Sequence, residues 1–325
     1  MNFCLNKCLK TFIYFCLLFT LLGCSPYERT LRIGAAPWPS FEFAFLANEL
    51  NYLDKNEYSL FELTSSTSVI QAFQSDRLDV AFLSLDEVLT LVALGVDLKI
   101  ISVIDNSYGG DALLVKPEIK TLNDLKYRSI GYENRASGAL LLNEIFSLTE
   151  LNNSSVQLQE VKQNEAKSVY LKDDIDALIV REPVKQELLA LGARELISSK
   201  KLSFPSTNVM IARTKIAKEK ELEIAYFLKQ FYRSNKFYNE NPSKSLSLIS
   251  ERLQLYPHFI EQAFTNTQFI PSKQALMRLS GSPSNIELQM NQLNSLMSEK
   301  NMFNPIKIDL SSLISTQILE LAIYE

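Results

Sequence analysis

An α/β fold is the class this sequence predicts, and three observations predict it. Short β-rich runs alternate with helical stretches from Leu31 to about Ala212. Two of those units share a layout, with an aspartate, four apolar residues, then polar residues opening a helix: Asp79-Val80-Ala81-Phe82-Leu83-Ser84 and Asp176-Ala177-Leu178-Ile179-Val180-Arg181-Glu182-Pro183. From Glu219 onward the apolar spacing becomes helical. Strand followed by helix with short loops between is the pattern of a parallel sheet covered by helices.

In chain order, Leu31 to Gly34 is the first strand, and Phe45 to Leu50 falls in the helix after it. Ser59 to Leu63 is a second strand; Val69, Ile70, Phe73 and Leu78 suit a helix that follows. Val80 to Leu83 reads as a fully buried strand, Glu87 to Leu94 as a helix ended by Gly95, and Lys99 to Ile104 as another strand. A second series begins near Asp111. Its strands are Ala112–Val115, Ser129–Gly131, Val156–Val161, Ala177–Val180 and Leu196–Ile197, and its helices Leu140–Leu148 and Pro183–Leu191, with Pro183 suited to a first turn. Asn208 to Ala212 is one more strand. Leu222, Ala225, Tyr226, Leu228 and Tyr232, then residues 243–253 and 284–300, are helical, and the aromatic residues from Tyr226 to Tyr238 are read as helix core.

Composition narrows the function. The 325 residues are 46% hydrophobic and 22% charged, which is ordinary for a globular chain of one large or two smaller domains. A net charge of -4 and a pI near 5.4 lack the basic face a nucleic-acid partner requires. With His258 the only histidine, a histidine-based triad or multi-histidine metal site has almost nothing to be built from. His258 follows Tyr256-Pro257, far from any strand end, and a surface or packing role is expected for it. No cofactor and no metal site are expected.

All four cysteines, Cys4, Cys8, Cys16 and Cys24, lie at the start. Lys7 and Lys10 precede the apolar stretch Thr11 to Leu22, which ends in Leu21-Leu22-Gly23-Cys24 before Ser25-Pro26. Basic start, apolar core and small residue before the cut make an export signal. The stretch is shorter than the ~20 residues a spanning helix needs. Its end resembles the lipobox of bacterial lipoproteins, which implies cleavage before Cys24 and a diacylglycerol on its sulfur. The expectation is a signal peptide over 1–23, an anchor linker over 24–30 and a membrane attachment through lipid at Cys24. A soluble secretory signal with Cys24 incidental is the competing reading. The mature chain then has no internal disulfide, and its stability rests on its core.

Ligands of open α/β sheets bind at the carboxyl ends of strands, which points to a set of side chains. Trp38, the only tryptophan, follows the first strand between Pro37 and Pro39; it stacks on a ligand or plugs the core beneath its loop. Ser66 and Ser68, with Ser65, precede a helix, and Ser84 and Asp86 open the next one; Ser137 begins a later helix. Such residues cap helices, and the N–H groups there also hold anions. Asp105, Ser107, Asp111, Glu133 and Glu182 lie at strand ends or at a crossing between the two series. Only Arg135 and Arg181 lie near these carboxylates in sequence. An oxyanion pocket would present arginine or lysine, so an acidic rim suits an amine, an aminopyrimidine-like ring or another neutral-to-cationic donor. The competing role for each carboxylate is pairing with an arginine or capping a helix.

The motifs reached so far occur together in one family. Gly34-Ala35-Ala36-Pro37-Trp38-Pro39-Ser40 with Leu46-Ala47, the run Ser65 to Phe73, and Leu83-Ser84-Leu85-Asp86-Glu87 resemble the nitrate/sulfonate/taurine-type substrate-binding proteins of ABC importers. So do Asp105 to Ala112, Ile119 to Lys126, and Glu182-Pro183, all in order between Leu31 and Ile211. The resemblance implies a two-lobed type II periplasmic-binding-protein fold with two crossover strands, near Ser107 and Ser203, and a helical C-terminal part. It implies lobe 1 from 31–108 plus 205–325 and lobe 2 from 109–204. It departs from the family at Leu125-Lys126-Tyr127-Arg128, where Leu-Lys-Gly-Lys is usual, and in the longer, basic Ser198–Pro205 crossing. The fungal pyrimidine-synthase branch of this fold uses a cysteine-rich motif and histidines that the mature chain lacks. The implied function is a monomeric, lipid-anchored binding protein that captures a small organic molecule and delivers it to an ABC permease. A ligand-loaded sensor acting on a membrane partner is the alternative; an enzyme is disfavoured, and no nucleic-acid partner is expected.

Overall fold

The computed structural model describes residues 29–134, 136–201 and 206–324. The signal segment, Cys24, Arg135 and the second crossing at residues 202–205 lie outside the described residues.

Two sheets carry the fold. The first contains β1 (Leu31–Ala35), β2 (Tyr58–Glu62), β3 (Val80–Ser84), β4 (Leu98–Ser107), β10 (Thr207–Arg213) and β11 (Thr267–Phe269), in the order β11-β4-β10-β3-β1-β2. The second contains β5 (Asp111–Val115), β6 (Ser129–Tyr132), β7 (Gln157–Glu160), β8 (Ala177–Arg181) and β9 (Arg194–Ser198), in the order β7-β6-β8-β5-β9. Each sheet is parallel in one part only: β1 runs parallel to β2 and β3, and β6 to β7 and β8. Beside β3 lies the reversed strand β10, and beside β8 the reversed strand β5. The parallel sheet expected from the strand–helix alternation is therefore mixed in both halves of the fold. The cause is the crossing itself. A chain that leaves one sheet at the carboxyl rim enters the other at the facing rim, and its first strand there must run outward. Strands β5 and β10 are those first strands.

The two aspartates of the repeated layout do the same work in the two sheets. Asp79 Oδ2 accepts the backbone N–H of Arg32 at 3.0 Å, while its two oxygens hold the Arg32 guanidinium at 2.9 and 2.7 Å. Asp176 Oδ2 accepts the N–H of Ser129 at 2.9 Å and its hydroxyl at 2.8 Å, and Oδ1 accepts Arg128 at 3.1 Å. Each carboxylate satisfies a backbone N–H at the start of the neighbouring parallel strand, the second of β1 and the first of β6. The strands that follow, β3 and β8, are buried along their whole length.

Helices α1 (Glu42–Glu49), α2 (Ser66–Gln74) and α3 (Leu85–Ala93) follow strands of the first sheet; α4 (Ala136–Ser147), α5 (Gln163–Leu171) and α6 (Val184–Ala190) follow strands of the second. Helix α5 escapes sequence reading because only Gln163, Ala166 and Tyr170 are buried, too thin a stripe to show as periodicity. The tail contributes α7 (Thr214–Glu219), α8 (Glu221–Glu240), α9 (Pro242–Leu253), α10 (Pro257–Thr265), α11 (Ser272–Leu279), α12 (Asn285–Glu299) and α13 (Gln317–Tyr324). Helix α8 buries Ile224, Phe227, Leu228 and Phe231, the i, i+3, i+4, i+7 stripe of a core-facing helix. Phe82 of β3 meets both Phe227 and Phe231, with centroids 6.4 and 5.5 Å apart, and Phe43 of α1 meets Phe231 edge-on. This aromatic layer seats the tail on the first sheet. The second sheet has a separate apolar cluster on each face, around Leu113, Ile130 and Ile145 and around Leu114, Leu178 and Leu188. His258 is exposed, stacks with Tyr256 and meets the Phe259 ring at a tilt.

Candidate functional site

The carboxyl rims of β3 and β1 and the rim of β8 face one another, and the side chains between them come from both sheets. Arg181, the last residue of β8, reaches across. It donates from a guanidinium nitrogen to Ser66 Oγ at 2.8 Å, at the start of α2. Its guanidinium carbon lies 4.3 Å from the centre of the Trp38 ring. Its own backbone N–H is held by Gln163 Oε1 at 3.0 Å, which fixes where the side chain starts.

Trp38 is 1% exposed and belongs to the core beneath the first sheet, 6.4 Å from Phe41. One face meets Arg181, and Gly110 at the crossing lies so close that a Cβ there would stand 2.4 Å from the ring. Its indole N–H donates to Asp105 Oδ2 at 2.9 Å, and Asn208 donates to Asp105 Oδ1 at 2.7 Å. Burial pushes the Asp105 carboxyl up to about 6, against the lowering effect of those donors and of nearby Arg181. A cation on one face of the indole and a carboxylate at its edge complement the charge distribution of the ring.

Two further contacts cross between the sheets. Glu133, after β6, accepts the Thr67 hydroxyl at 2.6 Å and the Thr67 N–H at 3.3 Å. Glu182, after Arg181, accepts Gln186 at 2.6 Å and Asn266, at the start of β11, at 2.9 Å, both on Oε1. Burial holds the Glu182 carboxyl up at about 7, opposed by the two amide donors and by Lys185. The crossing itself is knitted by hydroxyls: Ser107 and Ser199 share a hydrogen bond of 2.8 Å, and Ser199 Oγ also accepts the N–H of Gly109 at 2.7 Å. Gly109 has φ +104°, a backbone conformation that suits glycine and turns the chain from β4 into β5. The Asp111 N–H donates to Ser107 Oγ at 3.2 Å.

Beside this layer lies a cavity of about 290 Å³, walled by both sheets' loops. Ala36, Pro37, Leu63, Ser65 and Ser66 come from the first; Gln163, Asn164, Arg181, Glu182 and Val184 from the second. Leu253 and Leu255, at the end of α9, form an outer apolar wall. That wall is pinned by Arg252, which bridges Glu42 and Glu62 and lies over the Phe45 ring at 4.2 Å.

Of the residues singled out from the sequence, Ser66 and Glu182 line this cavity. Trp38, Asp105 and Glu133 belong to the contact layer beside it, and Ser107 and Asp111 to the crossing. Ser68 turns away, sharing weak hydroxyl contacts with Thr64 and Ser65 and bordering a separate surface hollow near Gln71. Ser84 and Asp86 are buried at the start of α3, where Glu87 reaches back to the Ser84 N–H at 3.0 Å. Helix α3 packs on α4, which carries Ser137. Sequence reasoning missed Thr67, Gln163, Asn266, Leu253 and Leu255. The last three come from the tail, and only the fold brings them to the rim. Arg181 was visible as a neighbour of the carboxylates, but nothing in one strand's sequence says that its side chain crosses. Among the described residues no group of histidine, cysteine, aspartate and glutamate could hold a metal ion, and no helix is long and apolar enough to cross a membrane.

Two sheets joined by two crossings, with a cleft between their carboxyl rims, define a two-lobed type II periplasmic-binding-protein fold, and solved structures share it. The alkanesulfonate-binding protein SsuA from Xanthomonas axonopodis pv. citri, bound to MOPS, superposes with a TM-score of 0.76 at 15% identity, covering 90% of this chain and all of its own. The zinc-bound ligand-binding component of an ABC-type import system from Staphylococcus aureus gives 0.73 at 14% identity, over 91% of this chain and 99% of its own. A Candida albicans protein described as having the generic periplasmic binding protein fold gives 0.63 at 15%, over 91% and 94%. The family model described as NMT1/THI5 like matches residues 38–245, and the chain belongs to that family. Comparison with curated proteins gives no match.

Proposed function

We propose that the chain is the solute-binding lipoprotein of an ABC importer. It captures a small organic molecule in the cavity between its lobes and delivers it, unchanged, to a membrane permease. The observation that carries this reading is the cavity of about 290 Å³ whose walls come from both sheets, next to side chains that bind across the same gap. A solute that touches both walls favours the closed arrangement by its differential affinity, and no covalent chemistry is required. Lobe 1, at 31–108 and 205–325, and lobe 2, at 109–204, move about the Ser107–Gly110 crossing and its partner. Export and anchoring rest on the Leu21-Leu22-Gly23-Cys24 motif. Among the superposed proteins, one binds alkanesulfonate and one is the ligand-binding component of an ABC-type import system, which supports the reading at the level of fold.

Affinity capture with the full-length, membrane-extracted protein tests it. Recovery of ABC permease subunits is expected, together with metabolic palmitate labelling that Cys24→Ala abolishes. Capture of a signalling partner without permease subunits would overturn transport in favour of sensing.

A further inference from the structure

We propose that the solute is a small organic cation, an amine or an amidine, whose N–H donors close on Glu182. This rests on the solute-binding reading above and names the chemistry of that same cavity.

The charges around the cavity are lopsided. Its lining includes three carboxylates, Glu62, Glu182 and Glu187, and one cation, Arg181. Three of these four are committed to neighbours. Glu62 takes Arg252, Glu187 takes Lys167 at 2.6 Å, and Arg181 is turned onto Trp38 and Ser66. Glu182 differs. It is fully buried, and both of its donors, Gln186 and Asn266, are neutral amides that share one oxygen. The other oxygen, Oε2, is buried with no hydrogen-bond partner among the described residues.

The charged groups nearest Glu182 leave that oxygen alone. Lys185, the second residue of α6, spends its ammonium on Glu195 at 2.6 Å and on the Gly109 carbonyl at 2.7 Å. Asp111, on β5, repels rather than compensates. A buried acceptor left unmade costs folding free energy, so native proteins keep one chiefly where something else completes it. The rise of the Glu182 carboxyl to about 7 has the same origin, because burial is not matched by a cation in contact. An ammonium or amidinium at Oε2 supplies both the donor and the missing charge.

The rest of the cavity agrees. Pro37, Leu63, Val184, Leu253 and Leu255 offer apolar walls for a hydrocarbon or aryl body. The volume lies near the lower end of small-ligand pockets. An oxyanion in the same space would meet the uncompensated Glu182 rather than the fixed positive donors that oxyanions require, since Arg181, the one cation of the lining, is turned onto Trp38 and Ser66.

A size-matched panel tests the class. Hexylamine, benzamidine, hexanol, hexanoate, hexanesulfonate and benzoate are titrated into the full-length protein in detergent, following melting temperature and heat of binding. The amine or the amidine stabilises the wild type while the three anions and the alcohol do not. Glu182→Gln, which is isosteric and removes a buried charge, melts no lower than the wild type without ligand and weakens the cation by at least about tenfold. Stabilisation by an anion, equal cation binding in the Glu182→Gln variant, or silence from both cations overturns the proposal. Anion binding would overturn the ligand class and leave solute capture standing, whereas failed permease capture strikes the import reading without touching the class.

Discussion

The two lobes use one plan at the start of their central strands and two plans at the end. At the start, Asp79 and Asp176 each tie an early N–H of the parallel neighbour and an arginine, Arg32 itself in one lobe and Arg128 beside Ser129 in the other. At the end, β3 stops at Ser84, where Glu87 closes the start of α3 and the polar groups serve the helix. Strand β8 stops at Arg181-Glu182, and there the polar groups leave their own lobe for Ser66, Trp38 and Asn266. The repeated aspartate marks architecture, and the point where the two copies diverge marks where side chains cross to the opposite lobe. Both central strands start against a parallel neighbour, which the shared part serves; reaching an opposite lobe takes chemistry that only one of them has.

That comparison breaks most sharply at Arg181. Arg181→Met removes the cross-cleft bond to Ser66 and the cation over Trp38 while keeping an unbranched side chain. A loss of about 3 kcal/mol in unfolding free energy is expected from denaturant titration, since a buried charged group's partners are left unmatched. The matching change at the other rim, Ser84→Ala, removes only a helix-start hydroxyl and costs about 1 kcal/mol or less.

The aspartates come next. Asp79→Ala breaks three contacts to Arg32, with the carboxylate almost fully covered, and costs about 2–3 kcal/mol. Asp176→Ala makes the same topological break in a more exposed place, its side chain 26% accessible, and costs about 1–2 kcal/mol. Neither changes solute affinity. A change in affinity at either position would show that the strand starts also shape the site.

The rim carboxylates set a pH dependence with a definite sign. Asp105 and Glu182 have folded values near 6 and 7, above their ordinary values of 3.8 and 4.5. A raised carboxyl binds its proton more tightly in the folded state, so its contribution is full below the ordinary value and is lost as pH rises through the folded one. The ligand-free protein should therefore melt several degrees higher near pH 5 than near pH 8, by scanning calorimetry. Glu182→Gln should flatten the upper part of that slope. Trp38→Phe keeps a ring under Arg181 but leaves a buried void and takes a donor from Asp105, for about 2 kcal/mol.

Much of this was legible in the sequence, for reasons that differ by residue. Strands such as β3 and β8 are continuous apolar runs between turn signals, so their burial shows directly. The reversed strands β5 and β10 have the same composition, and orientation is set by which rim the chain enters from, which no local pattern records. Glu182 stood out because it follows a buried strand. Ser68 did too, by its place at the start of α2, yet in a helical turn it points away from the rim that Ser66 faces. Asn266, Leu253 and Leu255 sit in a tail that reads only as helix and loop, and long-range packing alone delivers them to the cleft.

Trp38 gives the most direct test of the central claim that Arg181 of one lobe closes on the other. It is the only tryptophan, it is 1% exposed, and its ring lies under Arg181. The measurement is acrylamide quenching of its fluorescence in the wild type and in Arg181→Met. Weak quenching in the wild type and a several-fold rise in the variant are expected. Equal quenching in the two proteins would contradict the claim, because Trp38 would then be covered by its own lobe alone.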